Sequence, residues 1–191
     1  MGSIGTAALL DVETTGFSAY ADEIIDKAIT AFRYDRVKGQ RLEVISEYSA
    51  LREPSCRISR AASEVHGITR RMVRGHELDL RQIRAMLRQS DFIVAHCAAF
   101  DRSFLGRLIP SSRNKLWLCS RDGIDWFAKG FESRSLEDLA RAHAIKNLRA
   151  HRAGGDVATL LDLLSHKSCR RTYFHELLRN AGLIRPQRHK A

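Results

Sequence analysis

Three stretches with the two-residue period of β-strands follow one another before the first helix-like segment, and no other feature restricts the fold of this chain so strongly. Ala7 to Asp11 reads as a buried strand, while Glu23 to Tyr34 and Leu42 to Leu51 alternate around the polar turn DRVKGQ. Gly39 in that turn can supply the positive φ that a hairpin often needs. Three strands in succession predict an antiparallel meander. After Pro54 the period changes: Ser59 to Val65 and Leu78 to Gln89 read as helices, Phe92 to Ala95 as a short apolar strand, Ala99 to Leu108 as a helix and Leu116 to Cys119 as another short strand. Ser135 with Asp138 resembles a capping box opening Leu136 to His143, and Val157 to Leu164 is apolar at helical spacing. The order βββαβαβα places the chain in the α/β class, with five strands and flanking helices.

The 191 residues suffice for one sizeable core without stapling, and a 44% hydrophobic content is ordinary for a globular protein. Cys56, Cys97, Cys119 and Cys169 show no CxxC spacing, so free thiols in a reducing, cytoplasmic setting are expected rather than a zinc site or a disulfide framework. No apolar run reaches the roughly 18 residues of a membrane span, and no secretory leader is read at the start. Gly2 and Thr6 fit a loose myristoylation pattern, but Thr6 adjoins a strand that must be buried, which argues against an acyl anchor. A net charge of +10, carried mostly by arginine, suits a polyanionic partner, since the guanidinium fork matches phosphate. Arg81, Arg84 and Arg88 fall on one helix face, which reads as a solvated stripe.

Chemistry concentrates in three short contexts. In LLDVETTGF, strand alternation turns Asp11 and Glu13 to the same side. Two adjacent carboxylates at a strand end repel unless a cation neutralises them, and hard oxygen ligands suit Mg²⁺ or Mn²⁺. Thr14, Thr15 and Gly16 then leave the strand in a tight turn whose small residues let a phosphate or sugar approach the backbone. Asp101, in AHCAAFDRSFL, lies at the start of the helix after Phe92 to Ala95, from which a carboxylate can return toward a strand end. The third context is HRAGGDVATLL. Five residues of regular helix turn through about 500°, which would leave His151 and Asp156 roughly 140° apart. Gly154 and Gly155 instead predict that His151 sits on the loop before the helix and Asp156 in its first turn. A histidine beside a carboxylate-held metal pair is suited to take a proton from water.

Together these segments resemble the DEDDh family of 3′→5′ exonucleases, the group that includes the epsilon proofreading subunit of DNA polymerase III, ribonuclease T and oligoribonuclease. LLDVETTGF is similar to its first motif, AHCAAFDRSFL to its second, HRAGGDVATLLDLL to its third, and VHGIT (Val65 to Thr69) to a segment many members carry between them. The resemblance runs from about Ala7 to Ser165. It implies a ribonuclease H-like fold with a central five-stranded mixed sheet and an exonuclease domain over residues 1–169; beyond it, over 170–191, the residues themselves read as a C-terminal helix (Tyr173 to Asn180, ended by Gly182) and a basic tail. It also implies that Asp11, Glu13, Asp101 and Asp156 hold two divalent cations, that His151 is the general base, and that Thr14, Thr15, Gly16, His66 and Phe100 meet the substrate. His66 as a capped loop histidine and Phe100 as a core anchor are the alternatives.

The implied partner is a nucleic acid with a free 3′ end, DNA ahead of RNA, cut to nucleoside 5′-monophosphates, with a homodimer or a polymerase association left open. An exoribonuclease, or a dormant nucleic-acid-binding module, are the competing readings. Three positions depart from the family pattern: Cys97 stands where asparagine is common, exchanging an amide for a weak thiol donor, and Asp26 and Lys27 in EIIDKAI replace the more common pair of a glutamate and an apolar residue, Lys27 interrupting an apolar position.

Overall fold

The computed structural model describes residues 3–146, 150–168 and 170–184. Gly2, Cys169 and the basic end 185–191 lie outside the described residues. Five strands form one mixed sheet in the order β3-β2-β1-β4-β5: β1 (Ile4–Thr14), β2 (Ile24–Asp35), β3 (Gln40–Leu51), β4 (Phe92–Ala95) and β5 (Leu116–Cys119). The first three make the expected antiparallel meander, with Gly39 at φ +58° in the β2–β3 turn; β4 joins β1 in parallel and β5 joins β4. This is the ribonuclease H-like arrangement.

Strand β1 is longer than its apolar run, because pairing with β2 continues through Glu13 and breaks register only at Thr14. The helices are α1 (Arg60–His66), α2 (Arg70–Val73), α3 (Leu80–Gln89), α4 (Ala98–Leu108), α5 (Leu136–Ala142), α6 (Ala153–Ser165) and α7 (Tyr173–Asn180). The expected start at Leu78 moves to Leu80. Asp79 is the cap there, its carboxylate accepting from the amides of Arg81 and Gln82, which fixes the first turn just beyond it. Ser59 and Ser135 cap α1 and α5 in the same way. The four-residue helix α2 and the two-residue strands β6 (Lys167–Ser168) and β7 (Arg171–Thr172) are too short to leave a periodic signal.

The two faces of β1 are covered by different helices. Ala7 and Leu9 share a core with Val157, Leu160 and Leu163 of α6 and Phe174, Leu177 and Leu178 of α7. Ala8, Leu10 and Val12 pack instead with Ile83, Met86 and Leu87 of α3 and Phe104 and Leu105 of α4. At about 1.5–3 kcal/mol per buried aliphatic side chain, these two layers fix the strand's facing, since a one-residue slip would expose both rows. Arg81, Arg84 and Arg88 are exposed on the outer face of α3, as the stripe predicts. Among the described residues no helix is long and apolar enough to cross a membrane, and Cys56, Cys97 and Cys119 are free thiols.

Candidate active site

The odd-numbered row of β1 runs Ala7, Leu9, Asp11, Glu13, so the two acids leave the core on the α6 side at the carboxyl end of the strand. Helix α6 begins just above them. Its N-terminus approaches the sheet closely because Gly154 has no side chain: a Cβ there would lie 3.2 Å from Ser49 Oγ on β3. Asp156 occupies the first turn of α6 and His151 the preceding loop, in the left-handed region at φ +58°. The carboxylate oxygens of Asp11, Glu13 and Asp156 consequently lie within 4.8 Å of one another.

Asp101 approaches from the other side. The parallel pairing of β1 with β4 ends at Leu9, and α4 begins shortly after β4, so Asp101 is carried beneath the open end of β1, where its carboxylate accepts from the Val12 amide. It is buried, and its Oδ1 has no partner. It lies outside the three-carboxylate group but close enough to Asp11 for their charges to interact.

Electrostatics mark the cluster as uncompensated. Loss of solvent, then the charges of Asp101, Glu13 and Asp156, hold the Asp11 carboxyl well above the usual range. Glu13 is pushed up to about 8, by desolvation first and the charge of Asp156 next; burial raises Asp101 to about 7 against the opposing pull of Lys27. Acidic groups packed this closely demand either protons or cations. The donor set fits hard divalent ions: every atom is a carboxylate oxygen, and one, Oδ1 of Asp101, is buried without a hydrogen-bond donor.

The histidine is placed differently from the acids. Its backbone amide donates to Asp156 Oδ2 at 3.1 Å, but its half-exposed ring points to Glu137 of α5, with Nε2 3.8 Å from Oε2. The loop itself is anchored by its neighbour: Arg152 Nε meets Asp26 Oδ2 at 2.8 Å, and Asp26 lies opposite Glu13 on β2. Neither residue gave a local signal: β2 is buried on both faces, so alternation does not mark Asp26, and the partner of Arg152 is 126 residues away.

In the turn after Glu13, the Thr14 hydroxyl donates to Gly16 O, and the Thr15 hydroxyl donates to Asp22 Oδ1. The Thr15 amide and carbonyl are also engaged, with Glu23 O and the Ser59 amide, so this residue shapes the turn rather than offering free backbone groups. Gly16 is required by packing, since a Cβ would lie 2.6 Å from the Asp22 carboxylate. Arg107 of α4 donates to the carbonyls of Ala19, Tyr20 and Asp22 and so ties the far side of the loop down.

His66 is buried with both ring nitrogens bonded. The Ile68 amide donates to Nδ1, which leaves the proton on Nε2 to donate to Thr14 O at 3.2 Å. Burial holds its pKa down, consistent with a neutral brace under the turn. Phe100 is half-buried and packs at a tilt against Phe104, their ring centroids 4.8 Å apart and their planes at 49°. Cys97 caps α4 without a side-chain cap bond and instead accepts from Arg121 at 3.7 Å.

The exonuclease family model, RNase T, matches residues 9–164, which include all four carboxylates and His151. The chain belongs to the DEDDh family of 3′→5′ exonucleases. This exonuclease-family chain is 36% identical over 149 residues to DNA polymerase III PolC-type of Thermotoga maritima, a match covering 76% of this chain and 9% of that protein. With the PolC-type polymerase of Bacillus subtilis it shares 30% identity over 195 residues, covering 93% of this chain and 13% of the other. It therefore spans about a tenth of the length of these curated relatives.

Among solved structures, E. coli exonuclease I in complex with a dT13 oligonucleotide matches 84% of this chain and 40% of its own, with a TM-score of 0.68 and 17% identity. Exonuclease X in complex with 5′ overhanging duplex DNA matches 89% of this chain and 99% of its own, with a TM-score of 0.55 and 20% identity. At those identities the likeness is one of fold.

Proposed function

We propose that this chain is a metal-dependent exonuclease that removes nucleoside 5′-monophosphates from 3′ ends, with DNA as its substrate. The convergence of Asp11, Glu13 and Asp156 within 4.8 Å carries the reading, with Asp101 buried beneath them. Asp11, Glu13, Asp101 and Asp156 would hold two divalent cations, Mg²⁺ or Mn²⁺; when bound, such ions lower the pKa of water and stabilise the leaving 3′ oxygen.

The side chains supply the rest. His151 accepts the proton of the attacking water once its ring swings from Glu137 toward Asp156, about the loop that Arg152 fixes to Asp26. The Thr14–Gly16 turn, braced by His66 from below and Arg107 from outside, receives the terminal nucleotide, and Phe100 borders it. The relatives named as DNA polymerase III favour DNA over RNA and an association with replication, and the net charge of +10 supports a polyanionic partner.

The test compares 5′-labelled single-stranded DNA and RNA, each with a free 3′ end, in Mg²⁺ and in Mn²⁺. Stepwise shortening of DNA that is abolished in Asp11→Ala, with the fold retained by circular dichroism, is the expected result. No metal-dependent degradation by the wild type overturns the reading, and tight salt-sensitive binding without turnover would establish a dormant module instead. Faster shortening of RNA would reassign the substrate.

A further inference from the structure

Lys27 interrupts an apolar position of β2, and the register shows where it goes. It pairs with Val12, so its side chain lies on the α3/α4 face of the sheet, opposite to Asp26, which lies on the α6 face with Glu13. It is fully buried, and its Nζ has no hydrogen-bond partner. Asp101 enters the same face from α4, also buried, and its Oδ1 is likewise without a partner. An ammonium and a carboxylate oxygen, both out of water and both unsatisfied, are therefore held on one side of the sheet beneath the carboxylate centre.

We propose that Lys27 is a positioning residue of the carboxylate centre, an internal counter-charge that stands beneath Asp101 and Asp11 and weakens the hold of the centre on divalent cations. The inference rests on the proposed metal centre. A positive charge near a cation site competes for the same negative charge, and at short range in a partly desolvated site one unit charge changes affinity by about tenfold or more. Consistent with this placement, burial pulls the Lys27 amine down to about 7, and Asp101 and then Asp11 are the charges that oppose the fall. While Lys27 is charged, it offsets part of the negative charge of the metal-free centre.

The experiment is a titration of the metal-free full chain with Mn²⁺, followed by the loss of the free-ion paramagnetic resonance signal. Lys27→Met and Lys27→Gln should each bind Mn²⁺ at least about tenfold more tightly than the wild type. Ile29→Ala, which loosens the same strand face two residues along without changing charge, should bind as the wild type does. Wild-type affinity in both Lys27 variants overturns the proposal and leaves the metal centre standing; no Mn²⁺ binding by the wild type overturns both.

A second measurement does not depend on the Lys27 variants folding. In the metal-free protein Asp101→Asn should raise the melting temperature less than Glu13→Gln does, because the carboxylate it removes is the one whose charge Lys27 offsets. An equal or larger rise for Asp101→Asn would show that Lys27 does not balance Asp101.

Discussion

Arg152 Nε and Asp26 Oδ2 stand 2.8 Å apart, joining the loop that carries His151 to the strand opposite Glu13. The Asp26 carboxylate is only 2% exposed, and the arginine about one-third. Removing the arginine leaves a buried charge unpaired, so Arg152→Met should cost roughly 3 kcal/mol in urea unfolding, tempered by the solvent at the guanidinium. The loss of turnover should exceed that of stability, because the loop that positions His151 and Asp156 is released. Asp26→Asn with Arg152→Met should recover part of the stability and none of the rate.

The pH dependence of the metal-free protein follows from the raised carboxylates. A carboxyl whose folded pKa lies above its unfolded value contributes most at low pH, and that contribution is lost as pH rises toward the folded pKa. Asp11, Glu13 (about 8) and Asp101 (about 7) all act in this sense. Lys27, lowered to about 7, acts oppositely, but only as pH rises from 7 toward its unfolded value of 10.5. The melting temperature in chelator should therefore fall between pH 5 and pH 8. Added Mg²⁺ or Mn²⁺ should restore it, more at pH 8 than at pH 5; an equal shift at both would contradict the uncompensated cluster.

Glu13→Gln separates stability from activity. It removes one of the mutually repelling acids, so metal-free stability should rise, while turnover should fall by about a hundredfold or more as one of the proposed metal ligands is weakened. Thermal melts in chelator and a labelled-oligonucleotide assay read the two effects on the same preparation.

Gly16→Ala should be costly although the residue is in a turn. The new methyl would lie 2.6 Å from Asp22, whose two oxygens accept from the Thr15 hydroxyl and the Ser18 amide. Displacing that carboxylate should lose about 1–2 kcal/mol of stability and raise the KM for an oligonucleotide more than it lowers kcat. Gly67→Ala, with no atom within 4 Å of the new Cβ, serves as the contrast for packing; its positive φ of 68° leaves only backbone strain.

Short-range physics made much of this legible from the sequence. Alternation alone put Asp11 and Glu13 on one face, and the poor helix propensity of Gly154 and Gly155 put His151 before α6 and Asp156 within it. The succession of strands and helices along the chain and the cap at Ser135 are equally local in origin.

What the chain order could not decide is which helix covers which face of β1, since that depends on packing between residues tens of positions apart. That choice alone sends Asp101 and Lys27 to the α4 side and Asp156 to the α6 side. It also turns His66 into a brace with both nitrogens spent, and pairs Arg152 with Asp26 across 126 residues. Lys27 shows the division most clearly. In the sequence it is a charge breaking an apolar row; in the fold, burial without water makes it a charge that must be answered by the carboxylates of the site.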